Sequence, residues 1–285
     1  EIYTLSLHDA LPISSWSRKL SGLELQGFIK ERQARQVRNL RQSDGIIPKL
    51  RIIMSQRASE VIRAYVRMKK RYADDILIDV EVEMAAQSEL AAAIRRANDD
   101  PLVQGIILQL PIDDPAATEE LCNLIAPHKD VDGLGAAAEF PSATAQAIDW
   151  LLAGYNVNLA GKKIAIVGQG KLAGAPLAHI WRERGLDVAA FDEMTPLENM
   201  NTFDVIITAT GVPGLITSDM VKPKAVVVDA GTASEHGKIV GDVAAEVRER
   251  RDIAITPEKG GVGPLTYVVL FDHLIEACLR LAGKL

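Results

Sequence analysis

Residues 162–192 read KKIAIVGQGKLAGAPLAHIWRERGLDVAAFD. An apolar run opens the segment as a strand, a Gly-rich turn follows, a helix runs to a stop at Gly185, and a second strand ends at Asp192. Gly168, Gly170 and Ala173 or Gly174 form G-x-G-x-x-A-G between the strand and the helix. The first Gly permits a tight turn, and the second lets the backbone approach a pyrophosphate. The helix N-terminus then offers free N–H groups and the positive end of its dipole to phosphates. Asp192 stands where an acidic side chain can accept hydrogen bonds from the adenosine ribose, and there it would repel a 2′-phosphate. This context predicts a dinucleotide site at Gly168, Gln169, Gly170, Lys171, Gly174 and Asp192. A structural Gly turn and a solvated strand end are the competing readings.

Working outward, further strands are predicted at 204–209, 225–229 and 253–256, with a long apolar helix over 266–282. Upstream lie a helix over 146–152 and a polar turn over 154–161. Before these comes a second alternation of strands and helices. A surface helix spans 20–40, and strands span 49–54, 77–82 and 105–110. Helices span 59–72 and 89–97, and a third, from an Asp114 cap and Pro115, runs to about Ile125. The fold class is α/β, in two domains. The first covers 14–145 completed by 266–285, and the second, of Rossmann type, covers 146–265.

Length and charge narrow the function. The chain has 285 residues, enough for two cores. Its 32 basic against 38 acidic side chains argue against a duplex-binding surface, so no nucleic-acid partner is expected. Cys122 and Cys278 are far apart, which supports neither a disulfide framework nor a cysteine zinc site and points to a reducing, cytoplasmic compartment. His128, His179, His236 and His273 lack ligand spacing, so no metal is expected. Apolar runs are broken by charges or Gly short of the ~20 residues a membrane span needs. Residues 1–13, EIYTLSLHDALPI, make a poor signal peptide and resemble a translated sequencing adapter; they are set apart from the fold.

On the helix over 59–72, Val61, Ile62, Tyr65, Met68 and Tyr72 form a stripe, and Tyr65 and Lys69 are one turn apart on it. A Lys facing a core loses charge by desolvation, which suits proton transfer, whereas a nearby carboxylate opposes that shift. A snorkelling surface Lys beside a packed Tyr is the alternative. Gln109 ends a buried strand, where open α/β sheets place ligands.

Six segments carry a family resemblance: YVRMKK at 65–70, GIILQLP at 105–111, KDVDG at 129–133, ATG at 209–211, GDV at 241–243 and GGVGPLT at 260–266. From about Leu50 onward the chain resembles the bifunctional methylene-tetrahydrofolate dehydrogenase and methenyl-tetrahydrofolate cyclohydrolase family. The resemblance implies oxidation of a methylene-tetrahydrofolate by NADP or NAD, then hydrolysis to formyl-tetrahydrofolate, in a homodimer. It assigns Lys69 the central catalytic role, mainly in hydrolysis. Tyr65 is implied to stack on and position the folate, Gln109 with Tyr65 to hold Lys69 during the proton transfers, Leu110 to line the site, and Asp132 to bind the pterin. Thr210 and Gly211 are placed at the dinucleotide. The loop of Gly260, Gly261, Val262, Gly263 and Pro264 is implied to line the folate cleft.

Departures from the family pattern bear on the cofactor and on the entrance. Gln169 and Gly170 stand where the family has an Arg and a Ser that read the 2′-phosphate; with Asp192 they favour NAD, although Lys171 offers a partial substitute. The stretch after Gly133 is short, and S-A-T-A at 142–145 replaces P-C-T-P. Ile62 takes the place of a Ser, with Ser59 one turn earlier. A dehydrogenase with little cyclohydrolase activity and a silent folate or nucleotide binder are the alternatives to bifunctionality.

Overall fold

The computed structural model describes residues 18–235 and 238–285; the adapter-like segment and His236 lie outside the described residues. In chain order the elements are β1 (Arg18–Lys19), α1 (Gly22–Ser43), β2 (Lys49–Ser55), α2 (Glu60–Asp75), β3 (Asp79–Ala85), α3 (Leu90–Asp99), β4 (Gly105–Gln109) and α4 (Thr118–Asn123). Then come α5 (Ala143–Gly154), β5 (Lys163–Val167), α6 (Gly174–Glu183), β6 (Asp187–Phe191), β7 (Val205–Thr208) and β8 (Val226–Asp229). The last are β9 (Ala233–Glu235), β10 (Lys238–Val240), α7 (Ala245–Arg248), β11 (Ala254–Ile255) and α8 (Val262–Leu281). The described chain divides into two compact units, one of 27–143 with 267–285 and one of 18–26 with 144–266.

The first unit holds a parallel sheet of order β3-β2-β4, in register Ile53 to Glu83 on one side and Met54 to Gln109 on the other. β2 reads KLRIIMS, and its run from Ile52 to Met54 is apolar on both faces because both are covered. Ile53 packs with Ala93, Ile94 and Ile106 on the α3 side. On the α8 side, a Cβ at Gly105 would meet the Leu274 side chain at 2.8 Å and that of Val131 at 3.0 Å, so Gly there leaves room for the Leu274 side chain against β4. Tyr72 of α2 stacks on Phe271 and meets Tyr267 edge-on. Its hydroxyl donates to Gln33, which donates in turn to the Val268 carbonyl.

Three local expectations are corrected. The buried stripe of α2 is Ile62, Val66, Lys69, Tyr72 and Ala73, at steps of four, three, three and one, whereas Met68 lies off it and is 47% exposed. Asp114 does cap, accepting from the Ala116 N–H, but Pro115–Ala117 form a 3₁₀ turn before α4. α8 begins at Val262, so Val262, Gly263 and Pro264 form its first turn rather than a loop. Pro is tolerated there because the first helical N–H groups have no partner in the helix. α8 is also long and apolar enough to cross a membrane by length and composition, which the run-length reading passed over. Val268, Val269, Leu270, Phe271, Leu274, Ile275 and Cys278 are all buried within the protein, as in a core helix.

The second unit holds a six-stranded parallel sheet of order β1-β11-β8-β7-β5-β6, with the antiparallel pair β9–β10 apart from it. β5 lies between β6 and β7, so the strand order reverses beside it. Ligands of doubly wound sheets bind at the carboxyl ends of strands flanking such a reversal. Residues 18–26 join this unit through β1, and the Tyr155 hydroxyl donates to Glu24 at 2.7 Å.

Candidate active site

In the first unit α2 carries Lys69 into the protein, where it is 9% exposed. Ser59 starts that helix, its hydroxyl accepting from the Ile62 N–H, while Ile62 itself is packed. The Lys69 ammonium donates to Gln109 Oε1 at 2.7 Å. Gln109 is oriented in turn because its amide Nε2 donates to the Leu110 carbonyl at 3.0 Å, which leaves Oε1 for Lys69. Burial lowers the Lys69 pKa, and the charge on Asp132 opposes that shift. Tyr65, one turn back and half-buried, has its pKa raised by burial.

Asp132 is half-buried, and its carboxyl is pushed up to about 6, chiefly by burial; Lys69 pulls it down and Asp130 pushes it up. A base and an acid that titrate towards each other sit within electrostatic reach at the carboxyl end of β4. Such opposed shifts are the physical mark of groups available for proton transfer or for pairing with a polar ligand.

The other charges of the Lys129–Gly133 segment hold this loop. Lys129 Nζ donates to the carbonyls of Asn98 and Asp100 at 2.8 Å each and of Ala97 at 3.4 Å, closing the carboxyl end of α3. Asp130 accepts from the N–H groups of Gly133, Leu134 and Gly135 at 2.7 to 3.1 Å, which orders the loop. Gly133 has φ +69°, and a Cβ there would sit 2.2 Å from the Pro141 carbonyl oxygen. The short return to α5 is therefore compatible with Gly alone. The Asp132 carbonyl accepts from the Ala143 N–H at 3.0 Å.

In the second unit Gly168 has φ +93°, and its missing Cβ leaves room for the Ala209 carbonyl. A Cβ at Gly174 would lie 1.7 Å from the Gly168 oxygen, so this Gly lets α6 start against the turn. Gly170 faces open space and is exposed. These are the three duties of a dinucleotide turn, and the cradle fits a pyrophosphate. Gln169 folds back, donating to the carbonyls of Ile166 and Gly168, and Lys171 is exposed. Asp192, exposed just beyond β6, is held ionised by hydrogen bonds from the Thr195 hydroxyl and the Met194 N–H. Beyond β7, the Thr210 N–H and the Thr208 hydroxyl both donate to Asp242 Oδ2 at 2.6 Å, which fixes the turn carrying Thr210 and Gly211. Gly260 to Pro264 also belong to this unit. Gly260 has φ +81° and accepts from the Leu23 N–H, while a Cβ on Gly22 would lie 2.0 Å from the Gly261 oxygen.

The description of the tetrahydrofolate dehydrogenase/cyclohydrolase catalytic domain matches residues 20–132, and that of the same family's NAD(P)-binding domain matches residues 142–282. The chain belongs to the tetrahydrofolate dehydrogenase/cyclohydrolase family. The bifunctional protein FolD of Exiguobacterium sibiricum is 36% identical over 247 residues, 81% of this chain and 89% of that protein. A crystal structure of the bifunctional FolD of Campylobacter jejuni has a TM-score of 0.84 at 32% identity, covering 92% of this chain and 98% of that one. The Trypanosoma brucei enzyme, solved with NADP and an inhibitor, has a TM-score of 0.86 at 26% identity, covering 93% and 98%. The family, its two-domain α/β fold and its dehydrogenase and cyclohydrolase activities are therefore those the sequence motifs implied.

The structure brings Lys69, Gln109, Leu110 and Asp132 together in one unit, with Tyr65 on the same helix, and gathers the glycine turn, Asp192 and the Thr210 turn in the other. The sequence reading missed three supporting groups. The Lys129 cap and the Asp242 clamp lay inside motifs already quoted, where their charge next to a turn was the available signal. His273, whose Nδ1 lies 2.8 Å from the Val131 carbonyl, was set aside when no metal spacing was found.

Proposed function

We propose that Lys69, Gln109 and Asp132 perform the hydrolytic half of this bifunctional reaction, and that Tyr65 and Asp132 hold the folate for both halves. When bound, the nicotinamide supplies the hydride acceptor for oxidation of the methylene carbon, and the glycine turn at Gly168, Gly170 and Gly174 would hold its pyrophosphate. For that step the protein contributes alignment. In the second half, water adds to the cationic methenyl carbon and loses a proton to the Lys69 amine, giving a neutral hydroxyl adduct. The hydroxyl proton then passes to N5 as the bond from carbon to N5 breaks, leaving the formyl group on N10 and one proton released. Desolvation makes the free amine of Lys69 accessible, and Gln109 aims it without adding charge. Asp132 accepts from the ring N–H and amino donors of the pterin.

The observation that carries this reading is the 2.7 Å bond from Lys69 to Gln109, made by a buried amine whose pKa is lowered. Lys69→Met keeps the apolar stem, so both half-reactions can be followed spectroscopically in a folded protein. The expected result is a cyclohydrolase loss of about 10²- to 10⁴-fold with accumulation of the methenyl intermediate. Equal losses in both activities, or none in either, would remove Lys69 from the proton transfers.

We further propose a preference for NAD over NADP within this NAD(P)-binding domain. Gln169 is turned onto the backbone, and the ionised Asp192 would face a 2′-phosphate. Steady-state kcat/KM with each dinucleotide tests this, and a strong NADP preference overturns it. The family resemblance implies a homodimer, which sedimentation analysis checks, and the cysteine usage fits a cytoplasmic location.

A further inference from the structure

We propose that His273 of α8 is a positioning residue for Asp132, an inference that rests on the folate-binding role given to Asp132 above. His273 is 3% exposed in a helix whose other buried positions around it are apolar. Its Nδ1 lies 2.8 Å from the Val131 carbonyl oxygen. A carbonyl can only accept, so Nδ1 carries the proton and donates. The imidazole is also held flat against Phe140, with ring centroids 4.9 Å apart and planes 18° apart, and the Arg280 guanidinium covers that Phe140 ring at 4.9 Å. Stacking fixes the plane of the ring, which aims Nδ1 at one carbonyl.

That carbonyl belongs to the peptide group immediately before Asp132. The peptide group after Asp132 is held by the Ala143 N–H, which donates to the Asp132 carbonyl at 3.0 Å. With the backbone held on both sides, the Asp132 carboxylate retains only its side-chain torsions. Releasing the Val131 carbonyl frees rotation about the bonds that aim it. A displacement of about an ångström at a positioning group is enough to weaken a directed contact severely. A purely structural hydrogen bond would register in stability alone, whereas a positioning bond registers in recognition of the folate.

The test uses the full-length protein. His273→Phe keeps the stack on Phe140 but removes the donor, and His273→Asn returns an N–H near the position of Nδ1. His273→Phe is expected to raise KM for methylene-tetrahydrofolate about tenfold with kcat and dinucleotide KM changed by less than about threefold. His273→Asn is expected to recover most of that loss. In an Asp132→Ala background the same His273 substitution should add nothing to KM, because the group it positions is gone. An unchanged folate KM in His273→Phe, or an equal increment in both backgrounds, overturns the inference while leaving Asp132 its role. An unchanged folate KM in Asp132→Ala overturns the role of Asp132, and the inference with it. If His273→Phe does not fold, His273→Gln, whose longer amide misplaces the donor, enters the same cycle with the same expectations.

Discussion

Replacing Asp132 by Asn should make the protein more stable and less able to hold its folate. The folded carboxyl titrates at about 6 against an ordinary 3.8, mainly because burial penalises its charge. The folded state therefore binds a proton more readily than the unfolded chain between those values, and stability falls as pH rises through that window. The deficit is absent below 3.8 and fully present above about 6. Two pKa units correspond to ~3 kcal/mol, and the attraction to Lys69 is already contained in that net shift. Because Asp132 keeps some contact with solvent, the recoverable part is smaller, ~1 to 2 kcal/mol. In the two-domain chain this becomes a rise in Tm of roughly 2 to 8 °C at pH 7.5 and none at the acid end. Thermal unfolding of wild type and Asp132→Asn across pH 4 to 8, beside the folate KM of each, measures both effects. A variant less stable than wild type at pH 7.5, or a gain of the same size at every pH, would refute the reasoning.

Two further substitutions address the dinucleotide unit. Asp192→Ser removes the charge that would face a 2′-phosphate, so kcat/KM with NADP should rise about fivefold at low ionic strength, less in high salt, and hardly move with NAD. Parallel titrations with the two dinucleotides check this. Gly174→Ala places a carbon against the Gly168 carbonyl oxygen, which the start of α6 can accommodate only by shifting. Dinucleotide KM should rise at least about tenfold with a fall in Tm, both read from one preparation; unchanged values would mean that the turn yields freely.

The legible parts of this protein were those written in local periodicity. The β5-turn-α6-β6 unit, the buried strand ending at Gln109 and the helix bearing Tyr65 and Lys69 each follow from spacing that a few neighbouring residues set. What escaped was governed by residues distant in sequence. Met68 was placed on the buried stripe because it is apolar, yet the face that α2 buries is chosen by Phe271, Tyr267 and Gln33, and Lys69 falls on it. Val262 to Pro264 looked like a loop because of their Gly and Pro. A Cβ on Gly263 would meet open space, so that Gly does not break the helix, and Pro264 is at ease in a first turn. The Lys129 cap required knowing that α3 ends beside it, and the His273 bond joins groups separated by 142 positions. Motif reading found the groups offered to ligands but not those that hold them still.

The order of segments along the chain also dictates when activity can arise during synthesis. The unit containing Lys69 and Asp132 is interrupted after residue 143 and completed only by residues 267–285. Until these emerge from the ribosome, Tyr72 lacks Phe271, Gln33 lacks the Val268 carbonyl and the Val131 carbonyl lacks His273. The six-stranded unit, by contrast, has all its strands translated before α8 appears. A nascent chain should thus acquire its nucleotide-binding half first, while the half that handles folate waits, its apolar sheet face uncovered, for the final helix. Chains that stall or are clipped before residue 267 would then be candidates for chaperone capture rather than partial enzymes.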